Sequence, residues 1–463
     1  MIKFFNTLSG KVEPFQPLVP GKAGLYTCGP TVYDYAHIGN FRSYIFEDLL
    51  KRFLQHQGFS VHHVMNITDV DDKTIKGSQR EKISLSDYTR KYIQAFFRDI
   101  DTLNISRADH FPRATGHIPE MVDIIKSLLE KGFAYQKDGS YYFNVSRFSR
   151  YGRLSKIDVD QLKSGERTES DEYAKENVHD FALWKAPKKG EPFWETDIGP
   201  GRPGWHIECS AMSSKFLGNT FDIHCGGVDN IFPHHENEIA QSEAASGQPF
   251  VRYWLHCHHL IVEGHKMSKS KGNFYTLNDL LEKDVDPMAL RFLLLSTHYR
   301  KTLNFTFDAL DQAQASVQRM KDFLYELNHR TFEGGINKNV TKSVENAKKK
   351  FDSAMANDLN ISMALSAVFE FIKNSYRLMQ SNQIREKNVR ELRDAIDTWN
   401  EVLAVLPDRK EDQLEPRLME KIQARNKARA EKKYAEADRL RDELLQEGII
   451  LEDTKEGVRW KRK

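Results

Sequence analysis

The feature that most constrains this chain lies near its amino end. Gly24-Leu-Tyr-Thr-Cys-Gly-Pro30 reads as a short buried strand closed by a Gly-Pro turn, and Phe41 to Gln57 carries Ile45, Leu49, Leu50 and Phe53 at helical spacing. Phe59-Ser-Val-His-His-Val64 then reads as the next strand. A strand, a crossover helix and a strand in so short a stretch predict a parallel sheet with right-handed connections. Phe221-Asp-Ile-His224, followed at once by the turn Cys225-Gly-Gly-Val-Asp229, is expected to be a later strand of that sheet. Residues 109–200 break the alternation with a helical run from His117 to Lys131, a strand-like Ser140 to Val145 and a polar stretch around Ser164-Gly-Glu-Arg. That segment is expected to be an insertion within the parallel-sheet domain.

From Asp308 the pattern turns helical. Leu310, Ala313, Val317, Met320, Leu324 and Leu327 recur at steps of three and four, Phe332-Glu-Gly-Gly-Ile-Asn337 is a loop, and Met363 to Met379 is a second apolar-faced helix, which predicts a helix bundle. Leu406-Pro-Asp-Arg-Lys-Glu-Asp412 breaks the pattern again and introduces a small terminal unit of helix, turn and strand. The α/β organisation expected is therefore a parallel-sheet domain over 1–108 and 201–250, an insertion over 109–200, a lysine-loop domain over 251–307, a bundle over 308–405 and a terminal unit over 406–463. Lys421 to Arg441 holds eight Lys or Arg against three Asp or Glu, a local charge of +5 in a chain whose net charge is only +2. Any polyanion site is thus local rather than a property of the whole field.

Composition excludes several classes. A hydrophobic fraction of 40% with 11% aromatic residues is that of a folded chain, not a disordered one. No apolar run approaches the ~20 residues of a membrane span, and the amino end lacks a secretory pattern, so a cytoplasmic protein with no membrane partner is expected. Four cysteines, Cys28, Cys209, Cys225 and Cys257, with no C-x-x-C pair, make no disulfide framework.

Three constellations carry chemistry. His37-Ile-Gly-Asn40 falls between a strand and a helix, where free backbone N–H groups and the helix dipole favour an anion, Gly39 allows close approach, and His37 and Asn40 add donors. Alone, it reads equally well as a polar helix cap. Lys266-Met-Ser-Lys-Ser270 sets Lys266, Ser268 and Lys269 in a small-residue cationic loop suited to polyphosphate, against the plain alternative of a solvated charge run. His234 and Glu238, four residues apart on one helical face, can chelate one ion. Cys28 and Cys209 would complete a Cys₂-His-Glu zinc set, although spacing alone favours a buried histidine and two core thiols.

The first two motifs together resemble class I aminoacyl-tRNA synthetases, and the resemblance sharpens over most of the chain. Tyr26-Thr-Cys-Gly-Pro-Thr-Val-Tyr-Asp34, Asn66-Ile-Thr-Asp-Val-Asp-Asp-Lys73, Phe181-Ala-Leu-Trp-Lys185, Gly204-Trp-His-Ile-Glu-Cys-Ser210, Phe232-Pro-His-His-Glu-Asn-Glu238 and Asp286-Pro-Met-Ala-Leu-Arg291 are similar to the cysteinyl-tRNA synthetase family. The resemblance implies a Rossmann-type catalytic domain with a connective insertion, a helix bundle and a C-terminal anticodon-binding unit. It implies one zinc per chain on Cys28, Cys209, His234 and Glu238, with Cys225 and Cys257 as core thiols. It also implies ATP with Mg²⁺ bound by His37, Gly39, Asn40, Lys266, Ser268 and Lys269, of which His37, Asn40, Lys266 and Lys269 act in catalysis. Trp205, Thr68, His224 and Asp229 fall to the substrate pocket, His224 also reading as a packed sheet-end residue like His256, His258 and His259. Arg429, Lys433, Tyr434 and Arg439 fall to tRNA contact. Asn40 replaces the histidine usual in the wider superfamily and keeps an amide donor; Tyr434 replaces a frequent tryptophan and keeps a stacking face.

Zinc suits the chemistry implied, because a soft cation separates thiolate from hydroxyl far better than apolar contacts do. The expected partners are therefore L-cysteine, ATP and tRNA(Cys), acting on a monomer. Two other readings fit parts of the pattern: a ligase joining cysteine to an amino sugar, and a non-catalytic RNA-binding relative. The 156 residues from Asp308 onward favour the tRNA reading over the first, and the intact motifs favour an enzyme over the second.

Overall fold

In the computed structural model four strands lie side by side in the order Val251–Cys257, Phe221–Gly227, Lys22–Thr27 and Ser60–Met65, all parallel. The structure describes residues 1–157, 179–268, 272–406, 416–454 and 457–462. Helix Ile38–His56 makes the first crossover and buries Phe41, Ile45, Phe46, Leu49, Leu50 and Phe53. It starts three residues before the apolar spacing indicates, because His37 caps it. From Lys22–Thr27 the chain moves to one neighbour through that helix and later reaches the other, so a crevice opens at the carboxyl ends of the central strands, where parallel sheets place their ligands. Beyond Ser60–Met65, parallel bridges from Val64 to His110 and Ile67 to Arg113 continue the edge.

The segment expected as an insertion contains helix Ile118–Glu130 and the antiparallel strands Ala134–Lys137, Ser140–Phe143 and Phe181–Lys185, and their sheet takes its fourth strand, Arg202–Pro203, from just past the expected boundary at 200. Its apolar residues Met121, Ile125, Phe143 and Trp184 share one buried cluster with Ile207, Met212 and Trp254 of the parallel-sheet region. The polar stretch around Ser164 lies outside the described residues.

Four helices follow, Phe307–His329, Lys338–Ala356, Ile361–Gln380 and Glu386–Leu403. The first buries Leu310, Ala313, Val317, Met320, Phe323 and Leu327. The expected stripe is thus right except at one place: Phe323, not Leu324, faces the core. Its ring meets Phe371 and Tyr376 edge-on at 6.0 and 5.5 Å. Met363, expected on an apolar face, is exposed near the start of its helix.

Buried charges join helix Ile38–His56 to helix Pro287–Ser296. Arg291 donates to Asp48 at 2.5 Å and to the carbonyls of Leu103, Asn104 and Leu403. Arg42 donates to the carbonyls of Leu294, Thr297 and His298. Each guanidinium thereby satisfies backbone oxygens left open at helix ends.

Residues Leu406–Lys463 form a second compact unit, distinct from Met1–Val405. Helices Pro416–Ala430 and Tyr434–Gln446 precede a hairpin of Ile449–Thr454 and Gly457–Arg462. Leu418, Ile422, Leu444, Ile449 and Leu451 make its core, with Trp460 packed against it. Among the described residues no helix is long and apolar enough to cross a membrane.

Candidate active site

The crevice gathers residues remote in sequence. Cys28 follows strand Lys22–Thr27, Cys209 lies in the second turn of helix Trp205–Leu217, and His234 and Glu238 sit one turn apart where the chain enters helix Glu236–Ser246. One ligand atom from each of these four lies within 4.8 Å of the others. Tetrahedral zinc spaces such atoms ~3.3–3.8 Å apart, so side-chain adjustment suffices to close the set around an ion. The chemistry of the donors fits: two sulfurs, an imidazole and a carboxylate. Glu238 adds an independent sign, since its Oε1 is buried and accepts no hydrogen bond, although Nε2 of His234 stands 3.0 Å away.

A shell of histidines backs the cluster, and spacing alone did not reveal it. His224 Nε2 lies 3.0 Å from the other oxygen of Glu238, and its ring stacks on Trp254 at 4.5 Å. His206 meets the Nδ1 of His234 at 2.8 Å. His235 approaches the sulfur of Cys28 at 3.2 Å and His256 at 2.8 Å, and His256 reaches the hydroxyl of Thr7 at 2.7 Å. With His224 and His235, Cys28 and Glu238 form a second close donor group. The adjacent histidines in His234-His235 were the available signal: on one helical turn, successive side chains address different neighbours. Burial favours a neutral Glu238, but His224 and His234 overcome it and hold its carboxyl at about 2. Burial and the imidazoles of His224 and His256 keep His235 neutral. Cys209 is easier to ionise than Cys28, because the Cys28 thiol donates to it. Cys225 and Cys257 are buried, and burial raises both thiols.

At the start of helix Ile38–His56, Nδ1 of His37 accepts from the N–H groups of Gly39 and Asn40 at 3.1 and 3.3 Å, while Oδ1 of Asn40 accepts from the N–H of His37 at 3.0 Å. These N–H groups, expected to be open to an anion, are therefore capped by the imidazole. Accepting at Nδ1 puts the neutral ring's proton on Nε2, and the Asn40 amide keeps Nδ2 as a donor. The structure thus shows the polar cap at this helix start. The described residues flanking the centre of the lysine loop come to the same place. A Cβ on Gly39 would meet Cε of Met267 at 2.7 Å, the N–H of Ile38 donates to Tyr275 O at 3.0 Å, and Phe274 meets the His37 ring at 5.0 Å. Lys266 is exposed beside it, and the N–H of Ser268 donates to Asn273. Lys269 lies outside the described residues.

The remaining candidates fall at different depths. Trp205 stacks on the His234 ring at 4.2 Å, walling the cluster. Thr68 is buried and donates to Glu208 at 2.9 Å, so its hydroxyl proton is already committed. His224 is fully buried behind Glu238, and Asp229 is exposed in the turn after strand Phe221–Gly227. In the terminal unit Arg429, Lys433, Tyr434 and Arg439 are all exposed. Lys433 pairs with Glu431 at 2.8 Å and Arg439 with Glu443 at 3.1 Å, so part of the +5 stretch is neutralised locally.

Residues 14–315 match the family described as tRNA synthetases class I (C) catalytic domain. Methionyl-tRNA synthetase of Mycobacterium tuberculosis, solved with methionyl-adenylate, superposes with a TM-score of 0.60 at 15% identity, covering 83% of this chain and 90% of that one. At that identity the likeness concerns the fold. The chain is a class I aminoacyl-tRNA synthetase. Residues 350–407 match the DALR domain and 412–460 the cysteinyl-tRNA ligase anticodon binding domain. The cysteine–tRNA ligase of Brachyspira hyodysenteriae is 49% identical over 100% of this chain and 99% of its own, and that of Leptospira interrogans 48% over the same shares. The chain belongs to the cysteine–tRNA ligase family.

Proposed function

We propose that this chain attaches L-cysteine to tRNA(Cys) in two steps through a cysteinyl-adenylate, with zinc held by Cys28, Cys209, His234 and Glu238. The observation that carries the reading is the convergence of that donor set from four places in the chain, in a fold whose capped helix start also meets Met267 of the lysine motif. When bound, zinc supplies a soft Lewis acid that prefers the substrate's thiolate to a hydroxyl. Trp205 walls the pocket, Asp229 faces the substrate's polar end, and Thr68 with Glu208 and His224 with Glu238 hold the wall in place.

In the first step a carboxylate oxygen of cysteine attacks the α-phosphorus of ATP-Mg²⁺, and the bond to pyrophosphate breaks. His37 and the Asn40 amide donate to the oxygens that gain charge, while Lys266 and Lys269 hold the leaving pyrophosphate. In the second step a hydroxyl of the terminal ribose attacks the acyl carbonyl and AMP leaves. Positioning and electrostatics do the work, with no covalent enzyme intermediate. Arg429, Lys433, Tyr434 and Arg439 contact the anticodon arm, Tyr434 offering a ring for base stacking. The enzyme works as a cytoplasmic monomer with one zinc per chain.

Cysteine-dependent exchange of pyrophosphate into ATP, followed by charging of bulk tRNA, tests the reading. Exchange without charging would favour an amino-sugar acceptor, and RNA binding without exchange a non-catalytic relative. Lys269→Ala is expected to slow exchange while leaving zinc bound; normal exchange by that variant would remove the lysine loop from the mechanism.

A further inference from the structure

Between Cys28 and His37 the chain turns through residues 29–36, and the large side chains it exposes are two tyrosines, Tyr33 and Tyr35, at 39% and 41% exposure. This turn is built in. The hydroxyl of Tyr88 donates to the carbonyl of Tyr33 at 2.7 Å, Tyr35 meets Tyr92 edge-on at 5.2 Å, and Tyr92 meets Tyr88 at 5.2 Å. Tyr88 in turn lies so close to Gly77 that a Cβ there would fall 2.2 Å from its oxygen, so the turn is locked onto helices Asp72–Glu81 and Leu85–Thr102. Each exposed ring carries a cation from one of those helices. Lys73 Nζ stands 5.1 Å from the centre of the Tyr33 ring, and Lys91 Nζ lies between Tyr35 and Tyr92, 5.7 Å from the first ring centre and 5.1 Å from the second. Neither ammonium pairs with a carboxylate among the described residues, whereas nearby Arg90 pairs with Asp87 at 2.8 Å. Lys76 and Arg80, on the Lys73 face of the same helix, are exposed as well.

Alternating aromatic faces and unpaired cations match one ligand chemistry best. Bases stack on the rings whatever their sequence, and the ammonium groups neutralise the phosphates between them. Stacking needs unpaired bases, which points to single-stranded RNA rather than duplex. The turn's two ends narrow the choice further, because it leaves the donor cluster at Cys28 and enters the nucleotide motif at His37. It therefore borders the place where an activated amino acid meets its acceptor. We propose that Tyr33 and Tyr35, with Lys73 and Lys91, seat the unpaired 3′-terminal nucleotides of the acceptor tRNA. This rests on the two-step reading given above and adds a binding surface to it.

The full-length protein tests it in three forms: Tyr33→Ala with Tyr35→Ala, Tyr33→Phe with Tyr35→Phe, and Lys73→Ala with Lys91→Ala. All three are expected to retain cysteine-dependent pyrophosphate exchange, which involves no tRNA, within about twofold of wild type. The alanine pair should lose about tenfold or more in charging kcat/KM, the phenylalanine pair should charge normally, and the lysine pair should raise the KM for tRNA. Wild type should bind intact tRNA more tightly than tRNA trimmed of its unpaired 3′ nucleotides, and the alanine pair should bind the two alike. Normal charging by the alanine pair, failure of phenylalanine to restore it, or parallel loss of exchange would overturn the proposal. Absence of exchange in the wild type would instead overturn the functional reading beneath it.

Discussion

Glu238 shows how much one side chain is asked to do. It is wholly buried, with Nε2 of His224 3.0 Å from one oxygen and Nε2 of His234 3.0 Å from the other. A buried carboxylate is costly unless cations or donors face it, and a metal bound beside His234 would add to that compensation. Glu238→Gln should therefore lower zinc content, measured by metal analysis of the purified protein, and cysteine-dependent exchange with it. His224→Ala removes the partner that orients the carboxylate, and a loss of about 10–100-fold in zinc affinity is expected in competition with a chelator; unchanged retention would show that His224 acts elsewhere. Asp48 makes a pH prediction. Burial opposes its charge, yet Arg291 and Arg52 hold its carboxyl at about 2. A depressed carboxylate stabilises the fold above its unfolded value of ~3.9 and loses that contribution as pH falls toward the folded value. The difference in urea midpoint between wild type and Asp48→Asn should thus be wide at neutral pH and shrink between about pH 4 and 2.

Among the elements, helix Ile38–His56 has the most consequential start. Its cap is made by His37 and Asn40, the same two residues proposed to donate to the nucleotide. His37→Ala should cost about 1 kcal/mol of stability through the lost cap, and also slow exchange. His37→Asn restores a capping oxygen without the imidazole, so stability should recover while exchange does not. If both recover together, the imidazole serves only as a cap. In the bundle, the helix Phe307–His329 offers a register test. Phe323→Ala should cost about 3–5 kcal/mol, since it empties a buried ring site, whereas Leu324→Ala, half-buried, should cost much less. Equal losses by urea unfolding would contradict the observed facing.

For the whole molecule, the division between Val405 and Leu406 separates two compact units. The donor cluster, the capped helix and Lys266 all belong to the first unit. The second has its own apolar core and exposes Tyr434 at 60%. A chain ending at Val405 is expected to keep cysteine-dependent exchange within a few-fold while charging tRNA poorly, as read by parallel assays. Loss of exchange in that shortened chain would mean that activation depends on the terminal unit.

Periodicity made the parallel sheet, its crossover helix and the bundle legible, because apolar spacing is a local record of which face is buried. The motifs at His37 and Lys266 were legible as motifs for a similar reason, each being contiguous; phosphate binding is the role proposed for them. Other features depend on distance in space. No spacing between Cys28 and Cys209 announces that they meet, nor that His206, His224, His235 and His256 close around them. Phe323 displaces Leu324 because neighbouring helices, not the helix itself, decide which side chain is enclosed. Tyr33 and Lys73 form a surface only once the turn is locked by Tyr88. Sequence alone determined which elements form and which reactive groups are available; the tertiary structure decided which groups share one site, since side-chain chemistry depends on neighbours that the chain brings together only by folding.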